Sequence, residues 1–317
     1  MKAVFLDFAT MGPGLDIESV RKVLPEIEFF DVTSDEQIAA RIEGAEFILG
    51  NKVRITREHM ESNPGLRYIG LTATGTDNID LLAAEEHAVA VCNIRAYCAE
   101  SVAEHVFGCL LNLTRSLGQY NSIVRAGEWQ KSEDFCLMSF PIRELSALTL
   151  GIVGNGNLGQ GVARLGKAFG MHVLVSARPG ADEIADGRVA FGELLRRSDV
   201  ISLHCPLNST TAGLIGAAQF ATMKSNAILV NTARGGLVDS AALVAALSNG
   251  QIAAAAIDVL PTEPPIAGDP LLDYAGSNLM ITPHVAWASD KARQAALDQL
   301  AECVAAFTGG ELKNRVV

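Results

Sequence analysis

Apolar residues in this chain fall into short runs separated by amphipathic stretches. The runs Lys2–Phe8, Glu28–Val32, Phe47–Gly50, Tyr68–Thr72 and Val89–Asn93 have strand length. Between them, Ile17–Leu24, Asp35–Ile42 and Ile79–His87 carry apolar residues at helical spacing. A strand covered on both faces is apolar at consecutive positions, and intervening helices supply the covers. The pattern therefore predicts a parallel sheet, and five strands before residue 95 complete one small α/β domain. A long helix is predicted from Glu100 to about Ser116. Residues 118–148 are polar, aromatic and poor in strand signals. They fit an arm packed on a partner subunit or an ordinary surface connection.

A second series begins at Thr149, with strands at Leu150–Gly154, His172–Ser176, Val200–Cys205, Ala227–Thr232, Ile252–Val259 and Leu279–Thr282. Six parallel strands match a doubly wound dinucleotide-binding sheet. The last helix, Asp290–Phe307, lies beyond the sixth strand and is expected to return to the N-terminal domain. The expected fold class is thus α/β: a doubly wound Rossmann domain, residues 99–287, plus a smaller parallel domain. That smaller domain is discontinuous, residues 1–98 and 288–317, and carries substrate contacts.

Composition narrows the function classes. The length of 317 residues suits two domains. With 49% hydrophobic and 19% charged residues, the chain is not a disordered one. No apolar run reaches the ~18 residues of a membrane span, and the N-terminus reads as a buried strand rather than a signal peptide. A net charge of −11 disfavours nucleic acid as a partner, because displacing counterions needs a positive surface. The six cysteines show no C-x-x-C pair and no metal-ligand spacing, which points to free thiols in a reducing cytoplasm and to no metal site.

The strand LGIVG runs into Gly154-Asn-Gly156-Asn157-Leu158-Gly159 and then a helix, the context that gives G-x-G-x-x-G its meaning. Gly154 permits the tight turn, Gly156 lets the backbone approach a pyrophosphate, and Gly159 allows close packing of helix on strand. The pyrophosphate would face the free N–H groups of the helix start. At the end of the next strand, NAD-binding sheets usually carry a carboxylate for the ribose 2′-hydroxyl. This chain has Ser176, Ala177 and Arg178 there. A guanidinium in place of a carboxylate predicts NADP(H) in preference to NAD(H), which is also possible.

Three later strand ends carry polar residues suited to hydride transfer at a 2-oxo acid: Arg234, Glu263 and His284. A guanidinium grips a carboxylate through two parallel bonds and polarises the adjacent ketone. An imidazolium gives a proton to the ketone oxygen, and neutral imidazole takes it back in reverse. A carboxylate beside the imidazole orients it and favours its charged form. His59, His87, His105, His172 and His204 lack such company and are given no chemistry.

The motifs GNGNLG, NTARGGLVD, DVLPTEP and TPHVAWAS, in this order, resemble the signatures of the D-2-hydroxyacid dehydrogenases. NKVRIT, LTATGTDNID, AYCAESVAEHVFGCLLNLTR and GEW…DFC are most similar to the glycerate dehydrogenase/hydroxypyruvate reductase branch, which includes glyoxylate reductases. The resemblance implies a flavodoxin-like fold for the smaller domain, a cleft that closes, and a homodimer with residues 118–148 as its arm. It implies Arg234 as carboxylate binder, His284 as acid/base and Glu263 as its partner. Asn51, Lys52, Thr74 and Gly75 would face the substrate. Asp258 would meet the nicotinamide carboxamide, Cys205, Pro206, Thr210, Thr232 and Ala233 would line the nucleotide, and Val102 would lie on the nicotinamide side. The implied activity is reversible NAD(P)H-dependent reduction of hydroxypyruvate or glyoxylate to D-glycerate or glycolate. Alternatives are a dehydrogenase for another 2-oxo acid (2-ketogluconate, a branched 2-oxo acid, 3-phosphoglycerate) or a non-catalytic NAD(P)-sensing, corepressor-like module. Arg95 stands where relatives usually have proline, with no role assigned.

Overall fold

Five parallel strands build the first sheet: β1 (Ala3–Phe5), β2 (Glu28–Phe29), β3 (Phe47–Gly50), β4 (Tyr68–Leu71) and β5 (Ala90–Cys92). Their order, β2-β1-β3-β4-β5, is the flavodoxin-like one. In this computed structural model, residues 1–180 and 183–317 are described. They form two compact units, Met1–Cys98 with Ala288–Val317, and Ala99–Trp287.

In the first unit β1, β3 and β4 are buried at every position, which is why they read as unbroken apolar runs. Helix Asp290–Thr308 buries Ala292, Ala296, Leu297, Leu300, Ala301, Cys303 and Val304, a stripe at helical spacing. Gly70 of β4 receives it: a Cβ there would lie 2.7 Å from Leu300 Cδ1. The C-terminal tail then pairs antiparallel with β5, through Cys92 and Arg315.

The second unit holds β6 (Thr149–Val153), β7 (His172–Val175), β8 (Val200–Leu203), β9 (Ile228–Asn231), β10 (Ala254–Ile257) and β11 (Leu279–Ile281), all parallel, in the order β11-β10-β9-β8-β6-β7. Beyond β7 a single parallel bridge, Ser176 to Val189, extends the sheet by one residue. The chain moves outward from β6 to β7 and then returns to β8 on the other side of β6. That reversal opens the crevice where doubly wound sheets take ligands, at the carboxyl ends of β6 and β8.

Residues 118–148 are more regular than their polarity suggests. Helix Leu117–Arg125 occupies the start, with Leu117, Tyr120, Ile123 and Val124 at helical spacing, and it stops before Gly127 at φ 79°. Trp129, Phe135, Met138 and Ile142 are exposed. All six cysteines are free thiols, with Cys92, Cys98, Cys109 and Cys303 buried. Among the described residues no helix is long and apolar enough to cross a membrane.

Candidate active site

The glycine-rich turn after β6 is shaped by three different constraints. Gly154 sits at φ 102°, and a Cβ there would lie 2.5 Å from the His204 carbonyl carbon, so both the turn and its approach to the end of β8 require glycine. Gly159 brings the first helical turn against the loop: its Cβ would meet Gly154 O at 2.0 Å. Gly156 faces open space, with nothing within 4 Å of a Cβ. It precedes helix Asn157–Ala168, whose first amides, from Asn157, Leu158 and Gly159, have no acceptor one turn back. An uncrowded glycine before open amides is the cradle a pyrophosphate fits.

Other positions assigned to the nucleotide surround the same edge of the sheet. Ser176 and Ala177 are buried after β7, and Arg178 is exposed. After β8, Cys205 is half-buried, with burial pushing its thiol pKa up, and Pro206 and Thr210 are exposed in the following loop. After β9, Thr232 and Ala233 are buried, and Thr232 Oγ1 has no hydrogen-bond partner among the described residues. An orphaned buried hydroxyl at this edge is a further sign that the residues suit a polar ligand. Val102 is buried in helix Ala99–Arg115. His204 Nε2 pairs with Ser202 Oγ at 2.8 Å while Nδ1 is enclosed, and burial pushes this imidazole down to about 4, so it stays neutral.

The loops leaving β9, β10 and β11 carry Arg234, Glu263 and His284. These strands are consecutive neighbours and parallel, so their carboxyl ends share one edge. Buried Asn231 closes the first loop, donating to Arg234 O at 2.9 Å and accepting from Ala233 N at 3.1 Å. Gly235 then packs against the second loop: its Cβ would lie 1.9 Å from the Leu260 carbonyl carbon. Glu263 is held at both oxygens. Oε1 accepts from Leu260 N at 2.8 Å, and Oε2 lies 2.5 Å from His284 Nδ1. Side-chain exposures of 25% for His284 and 32% for Glu263 leave the pair reachable from solvent.

His284 adopts φ 55°, the left-handed region that costs a non-glycine residue roughly 1–2 kcal/mol. Asp258, only 2% exposed, holds it there. The Asp258 carbonyl accepts from His284 N at 2.7 Å. Asp258 Oδ1 accepts from Thr282 Oγ1 at 2.6 Å and Val285 N at 3.0 Å, and Oδ2 from Ala286 N at 2.9 Å. Trp287 Nε1 caps the His284 carbonyl at 3.1 Å. His105, set aside on sequence grounds, does have company: Nε2 lies 3.1 Å from Thr282 Oγ1 and 3.7 Å from Asp258 Oδ1.

The first unit has its own ordered loops. Buried Asp7, after β1, accepts from Asn51 N at 2.8 Å, Lys52 N at 2.6 Å and Val53 N at 3.0 Å, fixing the two positions singled out after β3. The Thr74–Gly75 loop is tied through Thr74 O to Asn93 Nδ2 at 2.7 Å and through Thr74 Oγ1 to Ile94 O at 3.0 Å. Arg95 braces this segment, donating to Asn93 Oδ1 at 3.2 Å and to the Arg315 carbonyl at 3.1 Å. Asp7, Asn93 and Asn231 escaped the sequence reading. A polar residue closing an apolar run was the signal for each.

Residues 107–286 match the family model described as D-isomer specific 2-hydroxyacid dehydrogenase, NAD binding domain. A glycerate dehydrogenase of Methylorubrum extorquens is 43% identical over 310 residues, 95% of this chain and 97% of that protein. A hydroxypyruvate reductase of Blautia hydrogenotrophica is 35% identical over 323 residues, 100% and 99% of the two chains. Among solved structures, an NADPH-dependent glyoxylate/hydroxypyruvate reductase from Sinorhizobium meliloti, in complex with NADP and malonate, superposes with a TM-score of 0.81 at 26% identity, covering 100% of this chain and 96% of that one.

Proposed function

The chain belongs to the D-isomer specific 2-hydroxyacid dehydrogenase family, and from that premise we propose that it is an NADPH-linked reductase of hydroxypyruvate and glyoxylate, reversibly forming D-glycerate and glycolate. The observation that carries this reading is the 2.5 Å contact of Glu263 with His284 Nδ1, on strand ends adjacent to the Arg234 loop. With Nδ1–H directed at the carboxylate, Nε2 is the ring nitrogen that exchanges a proton with the substrate oxygen. Glu263 stabilises the imidazolium and keeps the ring in that orientation. Arg234 pairs with the substrate carboxylate and draws electron density from the neighbouring carbonyl. When bound, the reduced nicotinamide supplies the hydride that reaches the 2-oxo carbon. The amides of Asn157, Leu158 and Gly159 would hold its pyrophosphate, and Thr232 and Ala233 its neighbouring parts.

The names of the M. extorquens and B. hydrogenotrophica relatives support the substrate pair. The absence of a carboxylate from Ser176, Ala177 and Arg178 supports NADPH. Steady-state kinetics over a panel of 2-oxo acids with both cofactors tests the proposal. Hydroxypyruvate and glyoxylate should give the highest kcat/KM, and a tenfold preference for NADH refutes the cofactor assignment. Arg178→Ala should raise KM for NADPH about tenfold or more and leave that for NADH nearly unchanged, since only the former has a 2′-phosphate to lose its partner. We also assign residues 118–148 to a dimer arm, a role supported by exposed Trp129, Phe135, Met138 and Ile142.

The assignment of Asn51 and Lys52 to the substrate makes Asp7 testable. Asp7→Asn puts an N–H donor where amides need an acceptor, and each charge-assisted bond is worth about 1.5–3 kcal/mol. The expected result is a KM for the 2-oxo acid raised about tenfold or more with KM for NADPH unchanged, read from initial rates.

A further inference from the structure

We propose that His105 is a positioning residue for His284, acting through Thr282 and Asp258. The proposal rests on the acid/base reading of His284. Thr282 has one hydroxyl proton. Its oxygen is 2.6 Å from Asp258 Oδ1, a distance typical of O–H donated to a carboxylate. Giving that proton to His105 instead would leave two acceptors facing each other at that distance. The 3.1 Å contact between His105 Nε2 and Thr282 Oγ1 therefore has the ring nitrogen as donor. This fixes a direction, Nε2–H of His105 to Thr282 Oγ1, then Thr282 O–H to Asp258 Oδ1, and it fixes the His105 tautomer as protonated at Nε2.

The far end of this chain is the turn that bears His284. Asp258 gathers bonds from Thr282, His284, Val285 and Ala286, and so holds His284 in a backbone conformation that it would otherwise leave. A buried carboxylate does this only while its oxygens are well supplied with donors. Among the described residues His105 is the one basic side chain within ion-pair range of it, at 3.7 Å. Helix Ala99–Arg115 also grips the same turn one helical turn earlier, where Ser101 Oγ donates to Ala286 O at 2.7 Å. Positions 101 and 105 share a helix face, so one rigid element braces both sides of the His284 turn.

The test uses His105→Ala, His105→Gln, Thr282→Val and the double variant His105→Ala/Thr282→Val, with His284→Ala as the reference. His105→Ala should lower kcat about tenfold with KM for NADPH unchanged. Gln offers an N–H donor at a similar reach and should restore most of the rate. Thr282→Val should cost about as much as His105→Ala, and the double variant no more than either, because one chain of bonds is broken in each case. In the unmodified protein, 15N NMR of the histidine rings should find His105 protonated at Nε2. An unchanged kcat in His105→Ala, additive losses in the double variant, or an Nδ1–H tautomer overturns the proposal. Loss of thermal stability with kcat retained, or failure of Gln to restore the rate, also overturns it, since either marks a packing role. His284→Ala at full activity would instead refute the acid/base reading itself.

Discussion

His284→Ala is expected to lower kcat by about 10²–10⁴, the usual contribution of a positioned acid/base group, while leaving the dissociation constant for NADPH nearly unchanged. The two effects separate because His284 lies beyond β11, while the glycine-rich turn and its open amides lie beyond β6, four strands away in the sheet. Neither His204 nor His105 can substitute. His204 is neutral and enclosed, and His105 points its Nε2 at Thr282. Glu263→Gln should give a smaller loss, because the amide can still accept from Nδ1–H but carries no charge to stabilise the imidazolium. Single-turnover rates and fluorescence titration of NADPH measure the two quantities separately. A variant that keeps the wild-type rate would remove His284 from the chemistry, and one that loses cofactor affinity in proportion would make it a binding residue.

Much of this arrangement was legible in the sequence because its signals are local. Strands buried on both faces are apolar at consecutive positions, so β3, β4, β8 and β9 stood out. Arg234, Glu263 and His284 each follow an apolar strand within a few residues, and neighbouring parallel strands bring the carboxyl ends together without further instruction. The supporting layer was not legible, because its partners are remote. Asp258 meets Val285 and Ala286 from 27 and 28 residues away, Asp7 reaches Asn51, Lys52 and Val53 across 44, 45 and 46, and His105 reaches Thr282 across 177. No periodicity encodes such pairings. His105 in particular looks like an ordinary helix residue until β11 is placed beside its helix. The left-handed conformation of His284 is similarly silent, since no glycine or asparagine marks it. Helix Leu117–Arg125 was missed for a different reason: its apolar stripe spans only about two turns and is interrupted by polar residues that resemble a loop.

Gly235→Ala is expected to lower kcat about 10²-fold or more with secondary structure intact, although residue 235 bears no functional group. Residue 235 opens the 3₁₀ turn Gly235–Leu237, and no positive φ is involved. The constraint is spatial: a Cβ would lie 1.9 Å from the Leu260 carbonyl carbon, 2.3 Å from its oxygen and 2.3 Å from Pro261 N. All three are backbone atoms, so no side-chain rotation relieves the clash, and one loop must move. Arg234 stands immediately before this contact. Glu263 stands three residues beyond Leu260 and accepts that residue's amide, so a displaced Leu260 carries Glu263 with it. A shift of about 1 Å in a positioned group can cost 10²-fold in rate, and here the guanidinium or the imidazole's partner must bear it. Circular dichroism would report the retained fold, NADPH titration the retained cofactor site, and initial rates the loss. Gly156→Ala is the internal comparison, because its Cβ enters open space in the protein alone; it should spare the unliganded fold and weaken NADPH binding. Normal turnover in Gly235→Ala would mean that the two loops tolerate separation, and the close packing of the loops that bear Arg234 and Glu263 would lose its claim on the reaction.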